Sequence, residues 1–270
     1  MSDPINDLLV YSTVKIENED GQIGTGFLIK KDTKKILVTN KHVLHKSKFK
    51  RESANSIYLH LNILDNGRIK GERIQFALYD NGKKLWNEHP DIQIDVLGID
   101  VSVICQTITN LVVKPIETSL ISSESLLLRY NIASGREIVV LGYPHTVQHM
   151  GNNFPMTILG TILSRIGESI MHHWDNPITG RIEDMAIRGF AIESNVVLGS
   201  SGSPVFLKPV INVFGGDQNT IGKPYPPLLL GIVSEEKLTY LDTGHYQPSP
   251  SGSIIVFDAS TIVDVINLFA

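Results

Sequence analysis

A chain of 270 residues is long enough for one large domain or two smaller ones with a sizeable core, and 42% hydrophobic with 19% charged residues excludes wholesale disorder. A net charge of -4 offers no overall attraction to nucleic acid or to an anionic membrane. No apolar run approaches the roughly 18 residues that span a bilayer.

Cys105 is the only cysteine, so no intrachain disulfide can form, which fits a reducing compartment. The start, Met1-Ser2-Asp3-Pro4, lacks a basic end followed by an apolar run, and a cytoplasmic location is expected. Lys46, Lys48, Lys50 and Arg51 form a short basic group in a polar stretch that reads as a solvated loop. Neither nucleic acid nor membrane is an expected partner.

Short segments rich in Val, Ile, Leu and Phe, several punctuated by Asp-Gly, Asn-Gly or Gly-Gly, dominate the chain. They predict strands over 9–16, 24–29, 35–39, 57–63, 73–78 and 101–105. Strand signals then fade into Thr, Asn, Ser and Glu over 107–125, a predicted linker that runs into a short helix over 122–130. Further strands are predicted over 137–141, 156–166, 187–193, 204–207, 228–234 and 253–257. A closing helix over 260–269 takes Ser260 as N-cap, lines up Ile262, Val265, Ile266 and Phe269, and should pack on the barrel before it. Many short strands without alternating helices predict an all-β chain of antiparallel barrels or sandwiches.

The stretch Gly199-Ser200-Ser201-Gly202-Ser203-Pro204 combines serine with glycines that let backbone N–H groups face a ligand. Such clusters more often mark ordinary turns, so the rest of the chain must decide. A nucleophilic serine needs a base within hydrogen-bond reach, and the base needs a group that fixes its tautomer. Nine histidines are available. His172 and His173 are adjacent and point apart, while His145 and His149 have helical metal spacing but are bracketed by Pro144 and Gly151 without an obvious third ligand. No metal and no cofactor is expected. His42 differs, because it ends an apolar strand, Ile36-Leu37-Val38-Thr39, at a polar turn. For the acid, Asp100 opens the alternating run Val101-Ser102-Val103-Ile104; Asp91 and Asp95 compete, but neither precedes so clean a strand.

Together, Val38-Thr39-Asn40-Lys41-His42, Gly98-Ile99-Asp100-Val101-Ser102-Val103-Ile104 and Gly199–Pro204 resemble the motifs of trypsin/chymotrypsin-like serine peptidases, in that family's order His, Asp, Ser. The broad bacterial trypsin-like group that includes the HtrA proteases is closest in pattern. Gly26-Phe27-Leu28-Ile29, Val140-Leu141-Gly142-Tyr143-Pro144 and Leu230-Gly231-Ile232-Val233-Ser234 resemble further strands of these enzymes.

The resemblance implies two antiparallel six-stranded β-barrels: residues 1–115 with His42 and Asp100, and residues 116–270 with Ser201 and the closing helix. It implies a serine endopeptidase acting on a protein or peptide, with Ser201 as nucleophile, His42 as base and Asp100 as orienting acid. The backbone N–H groups of Gly199 and Ser201 would form the oxyanion hole. Ser200 stands where digestive members carry an aspartate that pairs with a newly released N-terminus. No trypsin-style zymogen activation is therefore expected, and the loop would be ordered by local contacts or by a regulatory protein partner. Asn195, six before the nucleophile, would floor the primary pocket, with Ser234 and Glu236 on the cleft strand and small or medium apolar side chains preferred. The alternative is a catalytically silent or partner-gated domain acting as a protein-interaction module.

Overall fold

The computed structural model describes residues 4–44, 54–144, 151–175, 179–195, 199–209, 226–236, 238–240, 246–248 and 253–269. The basic group Lys46–Arg51, His145 and His149, and the side chains of His172, His173 and Glu236 lie outside the described residues.

The segment predicted as one strand over 9–16 is divided. Helix α1 (Pro4–Ser12) ends where the Ser12 and Thr13 hydroxyls donate to Leu9 O, at 3.1 and 3.0 Å, and β1 (Thr13–Glu17) begins. Strands β2 (Ile23–Lys31) and β3 (Lys34–Thr39) form a hairpin that runs into a single helical turn, α2 (Lys41–Leu44). Then β4 (Ser56–Asp65) and β5 (Arg68–Ala77) are joined through Asn66 and Gly67, whose φ values of 48° and 76° suit a two-residue hairpin turn. A smaller hairpin, β6 (Tyr79–Asp80) and β7 (Lys83–Lys84), precedes β8 (Trp86–Glu88) and β9 (Leu97–Asp100).

The strand expected over 101–105 is a helix, α3 (Ser102–Thr107). Asp100 Oδ1 accepts the backbone N–H of Ser102 at 3.1 Å and its hydroxyl at 2.6 Å, a local turn that competes with extension. Ile104 is buried and Val103 exposed, so the alternation that suggests a strand serves a helix with one face on the core. The predicted linker holds β10 (Ile116–Glu117), paired in parallel with β2, and a 3₁₀ turn over Thr118–Leu120. Helix α4 (Glu124–Arg129) follows, capped by Ser123.

The second half contains β11 (Glu137–Gly142), β12 (Met156–Ile162), β13 (Ser169–Asp175), β14 (Ile182–Ser194), β15 (Pro204–Leu207) and β16 (Leu229–Glu236). A short hairpin, β17 (Leu238–Tyr240) and β18 (Tyr246–Pro248), leads to β19 (Ser253–Asp258) and helix α5 (Ala259–Ile266). The order β12-β11-β15-β16-β19-β14 closes when β14 returns to β12, with Ile162 opposite Ile192, so six strands make a barrel. Phe190, Ile192, Val205, Leu207, Leu230 and Val256 fill it. In the first half the order is β5-β4-β1-β2-β3-β9-β8, and among the described residues its end strands do not pair with each other. This sheet wraps a core that includes Ile16, Leu28, Leu37, Leu59, Trp86 and Ile99.

Helix α5 is capped by Asp258, which accepts the N–H of Ser260 at 3.0 Å, two residues earlier than the predicted Ser260 cap. It does not pack on the preceding barrel alone. Ile262, Val265, Ile266 and Phe269 join a core cluster that takes Phe27, Ile36 and Val38 from the first sheet, Val96 from the loop before β9, and Phe206, Ile232 and Phe257 from the barrel. No helix among the described residues is long and apolar enough to cross a membrane.

Candidate active site

The antiparallel register of β3 and β9 decides which acid can reach His42. Thr39 lies opposite Leu97, and Ile36 lies opposite Asp100. His42 sits on α2, just beyond Thr39, so the reachable carboxylate must come shortly before Leu97. It is Asp95. His42 Nδ1 is 2.5 Å from Asp95 Oδ2, and the His42 backbone N–H donates to Asp95 Oδ1 at 3.2 Å. Asp100, the acid expected from the sequence, lies at the far end of β3 and is engaged with Ser102. The sequence-based choice is corrected on this geometry.

The neighbours of His42 hold the segment that carries Asp95. Asn40 Nδ2 donates to Asp95 O at 2.7 Å, and Lys41 Nζ donates to His89 O and Asp91 O at 3.2 and 3.1 Å. Ile94 and Val96 are buried, so alternation turns the carboxylate between them away from the core. Burial alone would raise the Asp95 carboxyl; the charge and hydrogen bonds of His42, helped by Lys41, outweigh it and bring the carboxyl below its ordinary range. A carboxylate at Nδ1 places the ring proton there, so the basic lone pair of the neutral ring lies on Nε2.

The serine loop is held against β2 by one threonine. Thr25 Oγ1 donates to Gly199 O at 2.9 Å and accepts the N–H of Tyr143 at 3.1 Å, while Thr25 N–H donates to Ser201 O at 2.9 Å. Thr25 O accepts the Thr39 hydroxyl at 2.7 Å, tying this cradle to the strand that leads to His42. Gly202 has φ of 84°, and a Cβ there would lie 2.0 Å from Thr25 O and 2.6 Å from Thr39 Oγ1; only glycine fits. On the other side, Gly202 N–H donates to Val233 O at 3.1 Å and Val233 N–H to Ser203 O at 2.9 Å. Ser201 is half-buried, between a fully buried Ser200 and a buried Gly202. The Ser200 and Ser203 hydroxyls both face Gly142, where a Cβ would lie 2.3 Å from Ser203 Oγ and 3.3 Å from Ser200 Oγ.

Residues 24–209 match the model of the trypsin-like peptidase domain, which covers more than half of the chain. The chain belongs to the trypsin-like peptidase family. It is a serine endopeptidase, and its substrates are proteins or peptides. The fold is similar to that of Rv3671c from M. tuberculosis H37Rv in an inactive form, at 18% identity and a TM-score of 0.52, covering 99% of this chain and 90% of the other. It is similar also to the serine endoprotease from Yersinia pestis, at 16% identity and TM-score 0.51, covering 99% of this chain and 67% of the other. Deg5 aligns at 14% identity and TM-score 0.51, over 96% of this chain and 88% of the other. No curated protein sequence matches the chain.

Other residues expected to matter in a trypsin-like peptidase are placed as follows. Asn195 follows the last residue of β14 and is exposed, which does not suit the floor of a closed pocket. Ser234 is buried at a bulge in β16, where the register with β19 shifts between Val233 and Glu235. Glu236 is the last residue of the same strand. Sequence reasoning missed Thr25, Asn40 and Lys41. Thr25 carried a signal in the sequence, as a polar residue between two glycines in an apolar strand, whereas the burial of polar Asn40 and Lys41 beside His42 shows only in the fold. Thr25→Val keeps the shape but leaves buried Gly199 O and Tyr143 N–H without that hydroxyl. It should cost about 1–3 kcal/mol in denaturant melting and slow covalent labelling of the serine.

Proposed function

We propose that this peptidase cleaves peptide bonds with Ser201 as nucleophile, His42 as general base and then acid, and Asp95 as the group that fixes the His42 tautomer. The observation that carries this reading is the 2.5 Å contact between His42 Nδ1 and Asp95 Oδ2. It explains why Nε2 takes the serine proton during attack and returns it to the leaving amine. The covalent acyl-enzyme then yields to water by the same proton route in reverse.

Peptide planarity supports an oxyanion hole at this loop. Ser200 O accepts the N–H of Ser203 at 3.0 Å, so across the trans peptide the Ser201 N–H is directed away from that turn. With the Gly199 N–H it would receive the developing negative charge, a donor worth about 3–4 kcal/mol in the transition state. The N-terminal sheet acts as the second barrel of a chymotrypsin-like pair, with the cleft between it and the closed barrel. The substrate lies along β16 beyond Val233, where the pairing of β16 with β15 has already ended at Ile232. Ser234 and Glu236 are on that stretch.

Incubation with a fluorophosphonate probe tests this. A single adduct on Ser201, lost in His42→Ala and slowed by a competing peptide, is expected. Absence of labelling on Ser201, with or without candidate partners, would remove the mechanism and favour a non-catalytic interaction module.

A further inference from the structure

Helix α5 comes last in the chain, yet it reaches the segment that carries Asp95 by two independent routes. The first is apolar. Ile94 and Val96, on either side of Asp95, lie in the same buried cluster as Ile262, Val265, Ile266 and Phe269. Gly98 is what lets the helix come so close: a Cβ there would stand 2.9 Å from Phe269 and 3.1 Å from Val265.

The second route is polar. His89 begins the loop that ends at Asp95, its side chain is only 4% exposed, and its N–H donates to Val96 O at 2.9 Å, closing the base of the loop. His89 Nδ1 accepts the N–H of Asp91 at 3.0 Å, so the neutral ring carries its proton on Nε2. That proton is directed at Asp264 Oδ2 on α5, 3.3 Å away. Arg188 Nη2, from β14, donates to the same Oδ2 at 2.6 Å, and its Nη1 donates to Ser260 Oγ at 3.2 Å. Arg188 Nη2 and His89 Nε2 are 3.0 Å apart, but both are donors, and Asp264 is the acceptor that reconciles them. Burial lowers the His89 pKa; Asp264 opposes this and Arg188 adds to it, which keeps the ring neutral. Lys41 grips the other side of the loop through His89 O and Asp91 O.

We propose that Asp264, Arg188 and His89 are positioning residues, through which the C-terminal helix sets Asp95 against His42. The inference rests on the reading of Asp95 as the orienting acid. The apolar contacts fix how deep the segment sits, and the polar triad fixes its rotation, because His89 can satisfy both Asp91 and Asp264 in only one ring orientation. A loose loop would let the carboxylate leave Nδ1 without opening the fold, and proton transfer would suffer while peptide binding did not.

The test uses the full chain, a peptide substrate, and the downfield proton resonance of the His42–Asp95 hydrogen bond. Asp264→Ala should lower kcat roughly 10- to 100-fold with KM nearly constant, and should weaken or shift that resonance. Asp264→Glu should restore part of both. Asp264 is 44% exposed, so the melting temperature should move little; if the alanine variant does not fold, Arg188→Met is read in the same way. Unchanged kcat and an unmoved resonance in a folded variant, while Asp95→Asn abolishes turnover, would overturn the positioning role and leave the site intact. Full activity in Asp95→Asn would remove the acid assignment itself, and this inference with it.

Discussion

Ser201→Ala should lower turnover by roughly 10⁵- to 10⁶-fold and abolish labelling by a fluorophosphonate, while Ser200→Ala should keep most of the activity. The two serines are adjacent, but their surroundings differ. Ser200 is fully buried, with its hydroxyl directed at Gly142 on the barrel side of the loop. Ser201 is half-buried, and its carbonyl is fixed by Thr25 N–H, a strand that leads through Thr39 towards His42. The bonds that shape the loop run through the backbone of Gly199, Ser200, Ser201, Gly202 and Ser203 and through Thr25. Removing the Ser201 hydroxyl should therefore leave stability within about 0.5 kcal/mol, as for a surface change. Turnover with a peptide substrate and a parallel thermal melt check both halves. Full loss of activity in Ser200→Ala with retention in Ser201→Ala would move the nucleophile by one residue.

The architecture could be read from the chain wherever a local signal and the tertiary contacts agree. Asn66-Gly67 announces the β4–β5 hairpin, and apolar Val, Ile and Phe runs mark the barrel strands, because both signals act within a few residues. The failures arose where a local pattern fits two structures. Residues 9–12 carry an apolar run that suits a helix end as well as a strand, and the Ser12 and Thr13 hydroxyls on Leu9 O settle it. The run after Asp100 alternates as a strand would, yet Asp100 and Ser102 form a side-chain turn that starts α3. The family was legible because glycine needs are local, and Gly202 in the serine loop has nowhere to put a Cβ. The carboxylate beside His42 was not, because it depends on how two strands are offset. Asp95 stands five residues from Asp100, and only the pairing of Thr39 with Leu97 brings one and not the other beside His42.

That offset leads to the sharpest contrast between variants. Asp95→Asn should cost roughly 10⁴-fold in kcat, whereas Asp100→Asn should change it less than about 2-fold. The reason lies in which atoms face each other. Asp95 Oδ1 accepts the backbone N–H of His42, so in Asp95→Asn the amide oxygen takes that place and the NH₂ group faces Nδ1. A donor opposite Nδ1 calls for a lone pair there, which moves the ring proton to Nε2 and removes the base from the side that the serine needs. The fold should tolerate the change, because Asn40 still holds Asp95 O through its backbone carbonyl and Ile94 and Val96 stay buried. Asparagine at 100 differs: its oxygen can still accept from Ser102 N–H, so the turn into α3 survives. Steady-state rates for both variants, with thermal melts to show that each is folded, decide the matter. Activity surviving in Asp95→Asn but lost in Asp100→Asn would mean that the β3–β9 register, and with it the site built on His42, is wrong.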